Sequence, residues 1–136
     1  MPLLVIRHAR AGERSEWQGD DRKRPLDEKG RRQAAALVKE LASFPITRVL
    51  SSPYDRCAQT VEPLAAARGL EIELREELGD ELQASAGAAL VRSLGDEDVA
   101  VCVHGGLSDA AFEEGQKKAE TLVVGGEGRI LERRRL

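Results

Sequence analysis

Two short, unbroken runs of apolar residues, at 3–6 and 99–103, constrain the fold of this 136-residue chain more than any other feature. Both are rich in Leu, Ile or Val, which is typical of strands buried on both faces of a parallel sheet. A further strand is predicted at 46–50, and a weaker one at 70–74 alternates with acidic residues. Helical patterns separate these strands, and such alternation predicts an α/β domain with a mainly parallel sheet.

Two of the predicted helices have recognisable ends. The first begins after Asp27, which can act as its N-cap. Ser52 suits the N-cap of the second, with Pro53 at the first helical position and Asp55 completing a capping box. We expect this second helix to end at Gly69. The buried stripe of the first helix is formed by Ala34, Leu37, Val38 and Leu41.

The second half of the chain contains weaker patterns. An alanine-rich segment at 84–94 predicts a helix, and a short helix is expected at 109–118. Two strands at 121–124 and 129–131 are expected to pair around the Gly125-Gly126 turn. The length of the chain suits one domain that covers residues 1–136.

Composition excludes several classes of protein. A net charge of −3 argues against broad, charge-driven nucleic-acid binding. Cys57 and Cys102 form neither a disulfide framework nor a CxxC metal site, so we expect two reduced packing residues. The first apolar run is too short for a signal peptide, and no segment approaches a membrane span. We therefore expect a cytoplasmic protein without a membrane or nucleic-acid partner, whose oligomeric state stays open.

The two histidines of the chain directly follow the two apolar runs. His8 comes after the run at 3–6, and His104 comes after the run at 99–103. Ligands of open α/β sheets bind beyond the carboxyl ends of the strands, so neighbouring strands would bring both imidazoles into one site. Alternatively, each histidine is a strand-end residue whose ring is satisfied by loop hydrogen bonds. The double occurrence favours the site.

Arginines accompany these histidines. Arg7 adjoins His8, and Arg56 lies about one turn inside the predicted second helix. Helix N-termini attract anions, and a guanidinium group matches the oxygens of a phosphate. Arg56 could instead be a solvated surface residue or an ion-pair partner. The nearby basic run at 22–24 reads as a solvated loop.

Four motifs in order along the chain resemble one known family. The segment Arg7-His8-Ala9-Arg10-Ala11-Gly12 resembles the opening motif of the histidine phosphatase superfamily, whose fold is phosphoglycerate mutase-like, in the form found in SixA-type phosphohistidine phosphatases. The other matches are Arg24-Pro25-Leu26 with Gly30 and Gln33-Ala34, then Ser51-Ser52-Pro53-Tyr54-Asp55-Arg56-Cys57-Ala58-Gln59-Thr60, and finally Val103-His104-Gly105-Gly106. The resemblance implies a single three-layer α/β/α domain.

The resemblance also implies a role for each matching residue. His8 would attack phosphorus and become phosphohistidine, and water would then release phosphate. Arg7, Arg56 and His104, together with Gly105, would bind the phosphoryl oxygens. The enzyme would be a hydrolase that needs no metal or other cofactor. Because the unperturbed pKa of histidine is about 6.5, an unprotonated nucleophile is available near neutral pH.

The general acid for the leaving group is less clearly marked. The family places an acidic residue after the third strand, where this chain carries several acidic side chains. We favour Asp80, with Glu81 as the second choice and Glu77 as a further candidate. The same stretch could simply be a solvated acidic turn.

The substrate class stays open between two alternatives. A SixA-like phosphatase would act on phosphohistidine in proteins. The segments 7–12, 17–26 and 56–64 also resemble the phosphatase domain fused to actinobacterial Nudix hydrolases, which favours nucleotides or other small phosphate esters. No Nudix box is present, and whether a separate Nudix or signalling partner exists is not determined. A non-catalytic phosphate-binding module is the alternative from another class.

Overall fold

The computed structural model describes residues 2–79, 84–94, 97–105, 107, 116–125 and 129–135. These residues form one six-stranded sheet with three α-helices. The strands are β1 (Leu3–Arg7), β2 (Arg48–Ser51), β3 (Ile72–Leu74), β4 (Val99–Val103), β5 (Thr121–Val124) and β6 (Ile130–Arg134). The helices are α1 (Glu28–Glu40), α2 (Asp55–Arg68) and α3 (Ala84–Ser93).

The sheet has the strand order β3-β2-β4-β1-β5-β6. The first four strands of this order are parallel, and β5 and β6 add an antiparallel edge. The predicted mainly parallel sheet and the predicted C-terminal strand pair are both confirmed. Strands β1 and β4 are neighbours, with Arg7 opposite Val103. The residues that follow them, His8 and His104, therefore emerge side by side from the carboxyl edge of the sheet.

Alternating side chains of the sheet face two different apolar cores. Leu4 and Ile6 of β1 pack in the cluster that contains residues of α1 and α2. Leu3 and Val5 point the other way, into the cluster that contains Val91 of α3. The domain thus has the expected three layers, with α1 and α2 on one face and α3 on the other. On α1, the predicted stripe is buried at Ala34, Leu37 and Leu41 and half-buried at Val38.

The predicted start of α1 is confirmed, whereas that of α2 is wrong. Asp27 caps α1 by accepting the Gly30 backbone N–H at 2.7 Å. Helix α2 begins at Asp55, so neither Ser52 nor Pro53 has the predicted position. The reason is a tertiary contact: Ser52 Oγ, which also accepts the N–H of Tyr54, lies 3.0 Å from His104 Nε2 at the end of β4. Gly69 ends α2 in the left-handed conformation, with a φ of 65°, as predicted.

Other expectations have mixed outcomes. Cys57 and Cys102 are buried free thiols, as expected. Most of the helix predicted at 109–118 lies outside the described residues, and its last three residues are not helical. Gly126 of the predicted turn lies outside them too. Among the described residues, no helix is both long and apolar enough to cross a membrane.

Candidate active site

His8 is held in one orientation at the end of β1. Its backbone N–H donates to the Val103 carbonyl at 3.1 Å. Its ring Nδ1 lies 2.8 Å from the carbonyl oxygen of Ala9, and because that oxygen can only accept, Nδ1 must carry a proton. In the neutral ring, Nε2 then keeps its lone pair. This tautomer, with the proton on Nδ1, is the one in which Nε2 can act as a nucleophile.

The surroundings of His8 keep its ring neutral. Burial is the largest cause that lowers its pKa to about 3, and the hydrogen bond to Ala9 opposes this shift. The nearby His104, Arg56 and Arg7 lower the pKa further, because their charges disfavour a second positive ring. The imidazole is therefore unprotonated throughout the neutral range.

The predicted meeting of the two histidines is confirmed. The His8 and His104 rings are 5.6 Å apart, in an edge-to-face arrangement. His104 Nε2 lies 3.0 Å from Ser52 Oγ, which already accepts the Tyr54 N–H. When this hydroxyl donates to Nε2, a ring proton of His104 can lie only on Nδ1. That buried Nδ1 has no hydrogen-bond partner among the described residues.

Arg7 is fixed at the same edge by a backbone contact from the C-terminal half. One guanidinium nitrogen, Nη1, donates to the Gln116 carbonyl at 2.6 Å, and the buried Nε has no partner in the described part of the chain. Gly105 packs directly against this guanidinium, since a Cβ there would lie 3.0 Å from Arg7 Cζ and Nε. A side chain at position 105 would therefore displace Arg7.

The Arg56 side chain is 2% exposed, so the alternative of a solvated surface residue is wrong. It lies in the first turn of α2, earlier in the helix than predicted. The carbonyl and carboxylate of Asp21 accept from its Nη1 and Nη2 at 2.9 and 3.1 Å. Its Nε is buried and has no partner among the residues described. The ion pair thus exists, and it orients the arginine.

Three buried nitrogens of the predicted site therefore have no hydrogen-bond partner within the part of the chain that the structure describes. They are Arg7 Nε, Arg56 Nε and His104 Nδ1. Buried N–H groups of proteins are nearly always paired, so the unpaired Nε–H groups of the two arginines indicate a place for an acceptor from outside the chain. Two guanidinium groups make that acceptor an anion, and their planar forks suit tetrahedral oxyanions.

Asp21 is the main site residue that sequence reasoning missed. Besides Arg56, its carboxylate accepts from Arg24 Nε at 3.1 Å. Arg24 is buried and also donates to the Ala11 carbonyl at 2.7 Å, so the solvated reading of the basic run is wrong at this position. The only signal in the sequence was an acidic residue close to Arg24-Pro25-Leu26 in a long loop.

Two side chains of α2 hold the loop that follows β1. Thr60 Oγ1 accepts the Ala9 N–H at 2.9 Å, and Gln59 Oε1 accepts the Leu26 N–H at 2.9 Å. Both were part of the quoted motif, but no role was assigned to them. Their contacts explain why a Gln-Thr pair stands one turn after Arg56.

The candidates for the general acid were less clearly placed by the sequence than the histidines and arginines. The preferred general acid Asp80 and the second choice Glu81 lie outside the described residues, and Glu77 is exposed. Cys57 Sγ lies 3.6 Å from His104 Nε2. The described part of the chain holds no group of three His, Cys, Asp or Glu side chains suited to a metal ion.

The fold and this site define a class. An α/β/α domain whose adjacent parallel strands end in two histidines, with the buried Arg56 and the half-buried Arg7 beside them, has the arrangement expected of a phosphohistidine-forming enzyme. The model of the histidine phosphatase superfamily (branch 1) matches residues 3–85, more than half of the chain. The chain belongs to the histidine phosphatase superfamily.

The chain is also similar to individual proteins, one by sequence and two by fold. The chain is 56% identical over 63 residues to the 8-oxo-(d)GTP phosphatase of Mycolicibacterium smegmatis, a match that covers 46% of this chain and only 20% of that protein. The fold of the present chain is similar to that of a SixA protein from Agrobacterium tumefaciens, with a TM-score of 0.78 and 18% identity. The similarity covers 99% of this chain and 98% of that chain. The present chain is also similar to protein histidine phosphatase SixA complexed with tungstate, with a TM-score of 0.72, 23% identity and coverages of 98% and 96%.

Proposed function

We propose that this chain is a metal-independent phosphatase that hydrolyses phosphoric monoesters or phosphohistidine through a covalent intermediate on His8. The observation that carries the proposal is the neutral His8 ring, whose Nδ1 is committed to the Ala9 carbonyl, together with three buried nitrogens that have no hydrogen-bond partner among the described residues. A nucleophile and an oxyanion cradle in one place are what phosphoryl transfer requires. Membership of the superfamily supports the same chemistry.

The reaction proceeds in two displacements. His8 Nε2 attacks phosphorus, an N–P bond forms, and the bond from phosphorus to the leaving group breaks. Arg7, Arg56 and His104 stabilise the charge on the phosphoryl oxygens throughout. Water then attacks the phosphohistidine, and inorganic phosphate and free His8 result. Asp80 remains our choice for protonating an ester oxygen that leaves, whereas a phosphoimidazole needs little such help.

Two substrate classes have support. The fold similarity to SixA proteins covers nearly the whole chain and supports phosphohistidine in proteins, and one of those structures holds tungstate, a tetrahedral oxyanion. The local similarity to the mycobacterial 8-oxo-(d)GTP phosphatase is much higher in identity and supports a nucleotide. Both classes use the same nucleophile and the same cradle.

The decisive experiment measures phosphate released by the wild type and by His8→Ala, with EDTA present. The substrates are a phosphohistidine-bearing protein, p-nitrophenyl phosphate and a panel of nucleotides. We expect release that survives EDTA and falls by at least about 10³-fold in His8→Ala, since the nucleophile cannot be replaced. Circular dichroism checks that the variant is folded. Undiminished release by a folded His8→Ala variant would contradict the proposal.

A non-catalytic phosphate-binding module gives a different result. Such a module would bind vanadate through the same donors but release no phosphate from any substrate. Binding measured by calorimetry, set beside the absence of turnover, separates that function from the proposed one.

A further inference from the structure

A third arginine, Arg22, lies at the margin of the site. Its Cζ is 5.1 Å from the centre of the Tyr54 ring. The same ring is 4.8 Å from Arg56 Cζ and has an edge contact with His104 at 4.7 Å. The Tyr54 ring therefore contacts Arg22 as well as two residues of the proposed cradle.

The backbone of Arg22 is held in place by the site itself. Arg22 is in a short 3₁₀ turn at Asp21–Lys23, and Asp20 accepts its backbone N–H at 2.9 Å. The preceding residue, Asp21, binds the Arg56 guanidinium through two hydrogen bonds. The position of Arg22 relative to Arg56 is consequently defined by the contacts of the two residues that precede it.

The guanidinium group of Arg22 is more exposed to solvent than that of Arg56, and it pairs with another exposed side chain. Its Nη2 lies 3.3 Å from each carboxylate oxygen of Glu76, and the two side chains are 45% and 76% exposed. Ion pairs this exposed contribute little to stability, because water screens both charges. A ligand anion can therefore replace Glu76 at small cost, whereas Arg56 is buried and committed to Asp21.

We infer that Arg22 exchanges Glu76 for the second phosphate of a diphosphate substrate while the terminal phosphoryl group lies against His8. A guanidinium fork matches phosphate oxygens, and a diphosphate has its second phosphate directly next to the one that is cleaved. A phosphohistidine has an uncharged ring at that place. The inference rests on the proposed function and narrows its substrate to a nucleoside diphosphate or a similar diphosphate ester.

The test compares kcat/KM for ADP with kcat/KM for p-nitrophenyl phosphate in three variants. In Arg22→Gln, the ratio of the two values should fall about tenfold, as expected for the loss of a charged hydrogen bond. In Glu76→Gln, it should rise about threefold, since the competing carboxylate is gone. Arg32→Gln is the control, because Arg32 forms another exposed ion pair, with Glu28 on α1, and its side chains are 67% and 86% exposed.

The outcomes separate this inference from the proposed function. The inference is overturned if the ratio of the two kcat/KM values is unchanged in Arg22→Gln, or if kcat/KM for a phosphohistidine protein falls by the same factor as that for ADP. In either case, wild-type turnover of p-nitrophenyl phosphate upholds the proposed function. Absence of all turnover overturns the function. Calorimetry of ADP and AMP then still decides the role of Arg22, since only ADP binding should weaken about tenfold in Arg22→Gln.

Discussion

At the scale of single residues, Gly105 sets the position of Arg7. The space that a Cβ would need at position 105 is filled by the Arg7 guanidinium. We expect Gly105→Ala to displace Arg7, and kcat to fall about 10²-fold, at the lower end of the range found when one transition-state donor is lost. The unfolding temperature should change little, because the obstructing atoms are the end of a flexible side chain. Steady-state kinetics and thermal unfolding check both parts.

A double-mutant cycle tests the physical reason. In an Arg7→Ala background, the new methyl group meets no guanidinium, so Gly105→Ala should have little further effect on kcat. Additive losses of activity in the two variants would mean that position 105 acts independently of Arg7.

At the scale of secondary-structure elements, α2 does more than contribute Arg56. The Thr60 hydroxyl, on its second turn, accepts the Ala9 N–H and thereby ties the helix to the loop behind His8. Thr60→Val preserves the shape but leaves this buried N–H unpaired. We expect a loss of about 1–3 kcal/mol in the free energy of unfolding and a lower kcat, measured by urea denaturation and kinetics.

Two further variants isolate the hydroxyl. Thr60→Ser retains it and should recover most of the stability and activity. Thr47→Val removes an exposed hydroxyl that donates to the Asp98 carbonyl at 3.1 Å, so water can replace it and little should change. A Thr60→Val variant as stable and active as Thr47→Val would show that the tie is unimportant.

At the scale of the whole molecule, the neutral His8 ring couples folding to pH. Its pKa is about 3 in the folded chain, and an unfolded histidine has a pKa near 6.5, so below pH 6.5 the unfolded state binds a proton that the folded state does not. Stability is then lost as the pH falls from 6.5 toward 3. The loss from His8 alone should reach about 3 kcal/mol at pH 4.

Urea denaturation of the wild type and of His8→Gln at pH 7, 5.5 and 4 measures this dependence. The variant should lose less stability on acidification, because glutamine does not titrate. If the free energy of unfolding depends on pH equally in the two proteins, the pKa of His8 is not lowered by folding. A residual slope is expected from Glu120: burial raises its pKa, but the hydrogen bond from Arg135 and further contacts outweigh that effect and lower it.

Much of the fold could be predicted because its signals are local. Strands β1 and β4 are short apolar runs, and such runs are buried wherever they occur in an α/β domain. The ends of α1 and α2 at Asp27 and Gly69 follow from the chemistry of one or two residues. The wrong start of α2 has a tertiary cause, since Ser52 lies beside His104, which is 52 residues away.

The site divides in the same way between sequence and structure. The sequence by itself determined that His8 and His104 follow buried strands and that Arg7 and Arg56 accompany phosphatase motifs. Only the tertiary structure decided that Asp21 orients Arg56 across 35 residues and that the Gln116 carbonyl holds Arg7 across 109. The reason is physical: strand burial depends on neighbouring residues, whereas the partner of a charged side chain depends on which distant segments the packed sheet brings within hydrogen-bond distance.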